Sequence, residues 1–539
     1  MSFDYAQPYA SARLPVFARN LVATSHPLAA QAGLRMLAQG GNAVDAAIAT
    51  AAAMTLVEPC SNGLGSDAFC ILWDGQQLHG LNASGRAPAA WTPSYFADRH
   101  PAGAAAPPQR GWDAITVPGA VAGWAALSER FGRLPFADLM QPAIEIAERG
   151  YAVPVVVQKK WAAAAADAAL ASQPGFADVF LPRGRAPAVG ELFKMPGAAR
   201  ALRAIARTRG EAFYRGEIAE SLVKQAARRG GALSLDDLAG CQPEWVAPIS
   251  QRYRDCMVHE IPPSGQGIAA LIALGLLEHF DLAGLPPDDP RGQHLQIEAM
   301  KLAFADVYRY VAEPSAMEVT AAQLLDPAYL AERARLIDPS RAQDFGAGNP
   351  ARGGTIYLTT ADEHGMMVSF IQSNYQGFGS GVVLPEWGLS LHNRGHGFSL
   401  RAGSPNIVAP GKRPFHTIIP GFLTRDGQPL MSFGVMGANM QPQGHVQTLV
   451  RMIDHAQNPQ AACDAPRWRF NQGLSLNVES AMPASTVQAL AALGHRFESL
   501  NDSYQDFGAG QFIWRLGDPG SEGYVAASDP RRDGAAVGF

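Results

Sequence analysis

The stretch GGNAVDAAIATAAAMTLVEP, residues 40–59, constrains the fold more than any other. Its helical periodicity puts Val44, Ile48, Ala51 and Thr55 on one stripe, yet the remaining faces are apolar too. A helix without a polar face cannot lie on a surface and has to be covered on every side. Asn42 followed by Asp45 matches a capping box, which sets the helix start behind two glycines. The reading extends helix over 21–60 as a whole. Such a helix demands layers, and 539 residues of which 47% are apolar can supply them, in about two to four domain-sized units.

The rest of the chain supports layering. DAFCILWDGQQLHGLNAS (67–84) reads as two strands around an Asp74-Gly75 turn, and WAAAAADAALAS (161–172) as a helix. Several helices are expected between about 115 and 230, followed by a cap at Ser234–Asp237. YRDCMVHEIPPSGQG is a strand running into a Pro/Gly loop, with an amphipathic helix, IAALIALGLLEHF, behind it. A charged Pro/Gly-rich linker occupies 339–354, and β-like alternation dominates from there to about 435. Helices followed by two-faced strands predict layered α+β or α/β packing.

Charge and cysteine content exclude several functions. The net charge is −5 and only 17% of residues are charged, with no basic stripe for a phosphate backbone, so nucleic acid is not expected as a partner. Five scattered cysteines without a CxxC pair argue against a disulfide framework or a zinc site. The first twenty residues carry an early Asp, two prolines and no continuous apolar core, so no signal peptide is expected. No run of about 18 apolar residues predicts a membrane span. A cytoplasmic protein is the expectation. HExxH, Walker lysine and GxSxG patterns are absent, and GFGSG at 377–381 reads as a mobile loop.

The chemistry is expected at GGTIYLTTADEHGMMVSFIQS, residues 353–373. Two glycines deliver Thr355 to the first position of a strand. A threonine hydroxyl is a weak nucleophile unless a base adjoins it, and its own α-amine can serve once the preceding peptide bond is cut. An unhindered Gly-Gly in a linker suits such a cut, although in isolation Gly-Gly-Thr at a strand start is simply structural. A three-residue loop with Gly365 left-handed pairs Asp362 with Met366 and sets Ser373 opposite Thr355. A two- or four-residue loop brings Gln372 there instead.

In order along the chain, residues 40–69, AITVPGAVAGWAAL (114–127), AFYRGEIAESLV (212–223), IPPSGQG (261–267), FGSGV (378–382), KRPFHTIIP (412–420) and DAPRWR (464–469) resemble the γ-glutamyltransferases, which are N-terminal-nucleophile hydrolases. The resemblance implies a four-layer αββα sandwich, of class α+β. It also implies a precursor that cleaves itself between Gly354 and Thr355. The products are a large subunit, 1–354, and a small one, 355–539, which stay together as one αββα unit. Thr355 is then nucleophile and, through its amine, base. Ser373 matches a family threonine that hydrogen-bonds the nucleophile, and Gly437 and Ala438 in VMGAN match a glycine pair whose N–H groups hold the oxyanion. No metal or organic cofactor is implied.

The acyl-binding positions depart from the family pattern. The arginine that holds the glutamyl carboxylate is replaced by Ser84, with Arg86 two residues on. The aspartate that binds the glutamyl amine becomes Gly397, a glutamine becomes Arg394, paired serines become His416 and Thr417, and an asparagine becomes Tyr375. A carboxylate has gone and groups able to carry positive charge, Arg394 and His416, have appeared. The set Arg86, Tyr375, Arg394, His416 and Thr417 is therefore expected to bind a small anionic or neutral acyl group. This is similar to the oxamate amidohydrolase branch, with cephalosporin-acylase-like members as neighbours. The partners expected are a small-molecule amide and the two subunits of one precursor, while assembly of several heterodimers stays open. Rival readings are a true γ-glutamyltransferase acting on glutathione, and an inactive scaffold.

Overall fold

The computed structural model describes residues 5, 12–346, 354–500 and 507–539. Gly353 and most of the end of the expected linker lie outside them. Residues 43–57 form the helix anticipated from sequence, and all fifteen are buried. The Asn42 side chain accepts from Asp45 N and the Asp45 carboxylate accepts from Asn42 N, both at 3.0 Å. The stretch before it divides differently from the expectation: Leu21–Thr24 is a strand and only Pro27–Ala38 is helical. Those four strand residues pair with Leu358–Ala361, a tertiary contact that outweighs local propensity.

Two seven-stranded sheets form the body. In the first, the order is Ala535–Gly538, Leu21–Thr24, Gly354–Ala361, Met367–Tyr375, Asp67–Trp73, Leu78–Ala83, Glu244–Val246. In the second it is Val16–Ala18, Tyr524–Ser528, Ala509–Arg515, Gln428–Met436, Gly421–Arg425, Cys256–Glu260, Ile249–Tyr253. Every neighbouring pair in both is antiparallel. Phe69, Ile71, Tyr357 and Ile371 of the first sheet share one apolar cluster with Phe422, Met436 and Ile513 of the second. Val44, Ile48 and Met54 of the buried helix pack with Cys70, Leu72, Ile356 and Leu358 of the first sheet. Helices Ile268–Leu277 and Pro290–Tyr310 pack with Leu423, Met431 and Phe433 of the second.

The helix Ile268–Leu277 was expected to be amphipathic, but all ten of its residues are buried. Each sheet contains strands from before and from after residue 354, so neither part of the chain owns a complete sheet. Among the described residues, no helix is long and apolar enough to cross a membrane.

Candidate active site

The site grows from the hairpin Gly354–Ala361 and Met367–Tyr375. Gly365 has φ of 95°, and Asp362 N donates to Met366 O at 3.1 Å, which is the three-residue turn read from sequence. Asp362 also accepts from Ala43 N at 2.9 Å, so the turn is docked on the first turn of the buried helix. Pairing runs in step from Ala361↔Met367 to Ile356↔Gln372, then slips to Gly354↔Tyr375. Ser373 and Asn374 thus face Thr355 alone, a bulge of the kind that re-aims side chains beside active sites. Tyr375, just beyond it, sits at φ 75°, a left-handed conformation rare for a bulky residue.

Thr355 is buried, and its Oγ1 lies 3.1 Å from Ser373 Oγ. Ser373 Oγ accepts from Tyr375 N at 2.8 Å and faces Arg394 Nη2 at 3.5 Å, the outer limit of a hydrogen bond. A serine oxygen has two lone pairs and one proton. Either hydroxyl of the Thr355–Ser373 pair can be the donor, so Ser373 is able to donate to Thr355.

Arg394 belongs to a short 3₁₀ turn, Arg394–Gly397, and is fully buried. Nη1 donates to Thr417 Oγ1 at 3.0 Å, the guanidinium lies 4.3 Å above the Tyr375 ring, and Nε has no acceptor among the described residues. Burial lowers its pKa to about 10, so it stays charged at neutral pH. A buried guanidinium with spare donors beside the Thr355 hydroxyl has the geometry and charge to take a planar anion.

His416 differs from its expected role. Burial, with Arg394, His392 and Arg413 nearby, pushes its pKa well below the ordinary histidine value, so the ring is neutral. Its Nε2 faces Asp67 Oδ2 at 3.3 Å and its Nδ1 accepts from Ile418 N. Arg86 is corrected more sharply. Nη2 donates to Glu244 (2.7 Å) and Nη1 to Glu313 (2.8 Å) and to the Gly411 carbonyl (2.9 Å). Two carboxylates neutralise it, and the cavity of about 380 Å³ that it lines with Ser84, Asp237 and Arg413 does not include Thr355. Arg86 is removed from the acyl-binding set.

Gly437 and Ala438 follow the strand Gln428–Met436 at φ 131° and 52°. Among the described residues, neither N–H is donated within the chain. Two residues escaped the sequence reading. Gln266 Nε2 donates to Thr417 O (2.6 Å) and Ala438 O (2.9 Å), tying the two loops of the site together. Asp67 is a fully buried carboxylate whose Cα partner is Ser373. An acid opening the strand DAFCILW was the signal available for it. Elsewhere, His294, Glu298 and His495 are three buried groups whose ligand atoms lie within 4.8 Å of one another. The Lys301 ammonium sits 2.6 Å from Glu298 and supplies the cation there.

The family model of gamma-glutamyltranspeptidase matches residues 29–539. The chain belongs to the γ-glutamyltranspeptidase family. It is an enzyme of that family, of the amidohydrolase kind. It is 35% identical over 534 residues to the "Glutathione hydrolase-like YwrD proenzyme" of Bacillus subtilis, covering 97% of this chain and 98% of the relative. It is 35% identical over 538 residues to the "Oxamate amidohydrolase proenzyme" of Klebsiella pneumoniae, covering 97% and 99%. Its fold matches the crystal structure of a cephalosporin acylase from Bacillus halodurans with a TM-score of 0.93 and 47% identity, over 100% of this chain and 99% of that one. These relatives of the γ-glutamyltranspeptidase family differ in the acyl group their names specify, so substrate choice has to be argued from the pocket.

Proposed function

We propose that this protein is an autoprocessing N-terminal threonine amidohydrolase that removes ammonia or an amine from a small carboxylate-bearing acyl group such as oxamate. The observation that carries the reading is Arg394: a buried guanidinium, stacked on Tyr375, bonded to Thr417 and facing the Ser373 hydroxyl that contacts Thr355. The two sheets with helices packed on them support the four-layer αββα fold. Cleavage before Thr355 gives subunits 1–354 and 355–539, and the presence of strands from both in each sheet supports their staying together.

The chemistry follows from the groups present. The freed α-amine of Thr355 takes the hydroxyl proton as Oγ1 attacks the amide carbon. Ser373 donates to Oγ1 and steadies it. Gly437 and Ala438 offer N–H groups to the oxyanion, each commonly worth a few kcal/mol. The amine proton passes to the departing nitrogen, leaving an ester on Thr355, and water then hydrolyses the ester with the amine as base again. Arg394 holds the acyl carboxylate. A glutamyl ammonium has no carboxylate at Gly397 to meet it.

The test is a panel of small amides on processed protein: oxamate, a glutaryl amide and γ-glutamyl-p-nitroanilide. Turnover of the first two well above the third is expected. Preferential release of p-nitroaniline from the γ-glutamyl compound would overturn the reading in favour of a glutathione-type enzyme.

A further inference from the structure

Asp67 is not used by the mechanism above, yet it occupies the same row of the first sheet as the reacting groups. Thr355, Ser373 and Asp67 come from three neighbouring strands, and Ser373 and Asp67 are direct partners across theirs. Directly paired residues project to one face of a sheet, so Asp67 lies on the acyl-pocket side. Its Oδ1 accepts from Gly85 N (3.1 Å) and Gly119 N (3.0 Å). Its Oδ2 faces His416 Nε2 at 3.3 Å, and His392 Nε2 lies 3.7 Å from Oδ1.

The groups that set its charge come from every side of it. Arg394 and Arg413 are the cations acting on it, while the Tyr214 phenol and Cys241 thiol interact with it electrostatically from the helical side. His416 and His392 are held neutral by burial. Arg413 is engaged by Glu244 at 2.7 Å, which leaves the Asp67 carboxylate to balance the buried guanidinium of Arg394. A substrate carboxylate placed on Arg394 adds a second negative charge, and two carboxylates sharing one cation cannot both stay ionised without large cost.

Resting on the reading of Arg394 as the acyl carboxylate's partner, we propose that Asp67 is a specificity-determining residue that makes carboxylate binding proton-linked. The pocket takes up one proton from solvent, held by the Asp67–His416 pair, with each acyl carboxylate it binds, and returns it when the product leaves. No bond of the substrate changes in this step. Desolvation already raises Asp67 to about 7, against the opposing pull of Arg394 and the two N–H donors, so the proton is at hand near neutral pH. An anion on Arg394 removes part of that opposing pull and raises Asp67 further.

Oxalate, the product of oxamate hydrolysis, is the probe, since it is fully ionised above about pH 6. Its inhibition constant on processed enzyme is expected to be flat below about pH 6.5 and to weaken by up to about tenfold per unit above pH 7. Calorimetry of oxalate binding at pH 7.5 in buffers of different ionisation heat is expected to show uptake of about 0.5–1 proton per oxalate. In processed Asp67→Asn, uptake falls by the Asp67 share to what the Thr355 α-amine alone takes up, and the pH slope of the inhibition constant becomes correspondingly shallower. Zero uptake by the wild-type enzyme overturns the proposal without any variant, as does an unchanged pH slope in Asp67→Asn. Turnover of carboxylate amides with zero uptake would sink this inference alone. Failure to bind or hydrolyse any small carboxylate, with neutral amides accepted, would remove the Arg394 reading and this one with it.

Discussion

Thr355 Oγ1 and Ser373 Oγ lie 3.1 Å apart across a bulge that sets two residues of one strand against a single residue of the other. The serine oxygen also accepts from the Tyr375 N–H and faces the Arg394 guanidinium, and its hydroxyl is within donating distance of the threonine. Removing that donor leaves the nucleophile without a partner as charge develops on it. Ser373→Ala is expected to lower kcat about ten- to 150-fold, the equivalent of ~1.5–3 kcal/mol for a hydrogen bond to a charged group. KM for a carboxylate amide should change far less. Ser373→Thr keeps the hydroxyl and should recover most of the rate. Equal rates for Ser373→Ala and wild type in single-turnover assays would refute the contact's role.

Autoprocessing makes a simpler demand. The uncut chain has a mass of 57.2 kDa. Wild-type protein incubated to completion should run as two bands on a denaturing gel, with the amino-terminal sequence of the smaller beginning Thr-Ile-Tyr. Thr355→Ala should remain one band and show no hydrolysis. A single wild-type band after prolonged incubation would leave the inactive scaffold as the surviving reading.

Much of this site could be read along the chain, and the misses have a common cause. The Thr355 hairpin was legible because strand alternation has a period of two and Gly365 fixes the turn, so register follows from local information. The buried helix 43–57 was legible because nothing polar interrupts its faces. Arg86 was misjudged because its partners Glu244 and Glu313 stand 158 and 227 residues away, and no local pattern announces them. His416 was taken as a potential cation because the burial that neutralises it is a tertiary property. Helix 268–277 looked amphipathic because its cover, the helix 290–310 and the second sheet, is assembled from distant segments.

His416, being neutral, should tolerate loss of its ring better than loss of its donor. Gln can place an amide N–H near the Nε2 position that faces Asp67 at 3.3 Å. His416→Gln is expected to retain kcat/KM within about tenfold, a cost near that of one neutral hydrogen bond. His416→Leu leaves the buried Asp67 oxygen without that donor and should destabilise the protein by ~1–3 kcal/mol. Thermal unfolding of both variants separates the two effects. Comparable large losses in both would mean that the imidazole itself is required.

The Gly437–Ala438 loop, proposed to hold the oxyanion, carries its own signature. Ala438 holds φ of 52°, a left-handed conformation that costs a side-chain-bearing residue about 1–2 kcal/mol. Glycine adopts it freely and keeps the same N–H. Ala438→Gly is therefore expected to be neutral or stabilising by up to ~1 kcal/mol, because the freer unfolded chain offsets part of the relief. Activity should stay within a few-fold of wild type. Ala438→Pro removes the donor and should abolish turnover, which a rate assay beside a thermal melt would distinguish from unfolding.

The decisive substitution is at Arg394, because it separates acyl recognition from the chemical step. Lysine keeps the charge but has neither the planar fork nor the stacking surface that Tyr375 offers at 4.3 Å. Glutamine keeps donors and loses the charge. On oxamate, Arg394→Gln is expected to lower kcat/KM about ten- to 150-fold, corresponding to ~1.5–3 kcal/mol for one charge-assisted contact. Arg394→Lys should fall between the two. On a neutral amide of similar size, the ratio of variant to wild type should stay near one, apart from any loss that Ser373 suffers from its 3.5 Å neighbour. That residual loss appears equally in both substrates and cancels in their ratio. Should the oxamate-to-neutral ratio be the same in wild type and Arg394→Gln, the guanidinium serves the fold or the serine, and the acyl carboxylate must be recognised elsewhere.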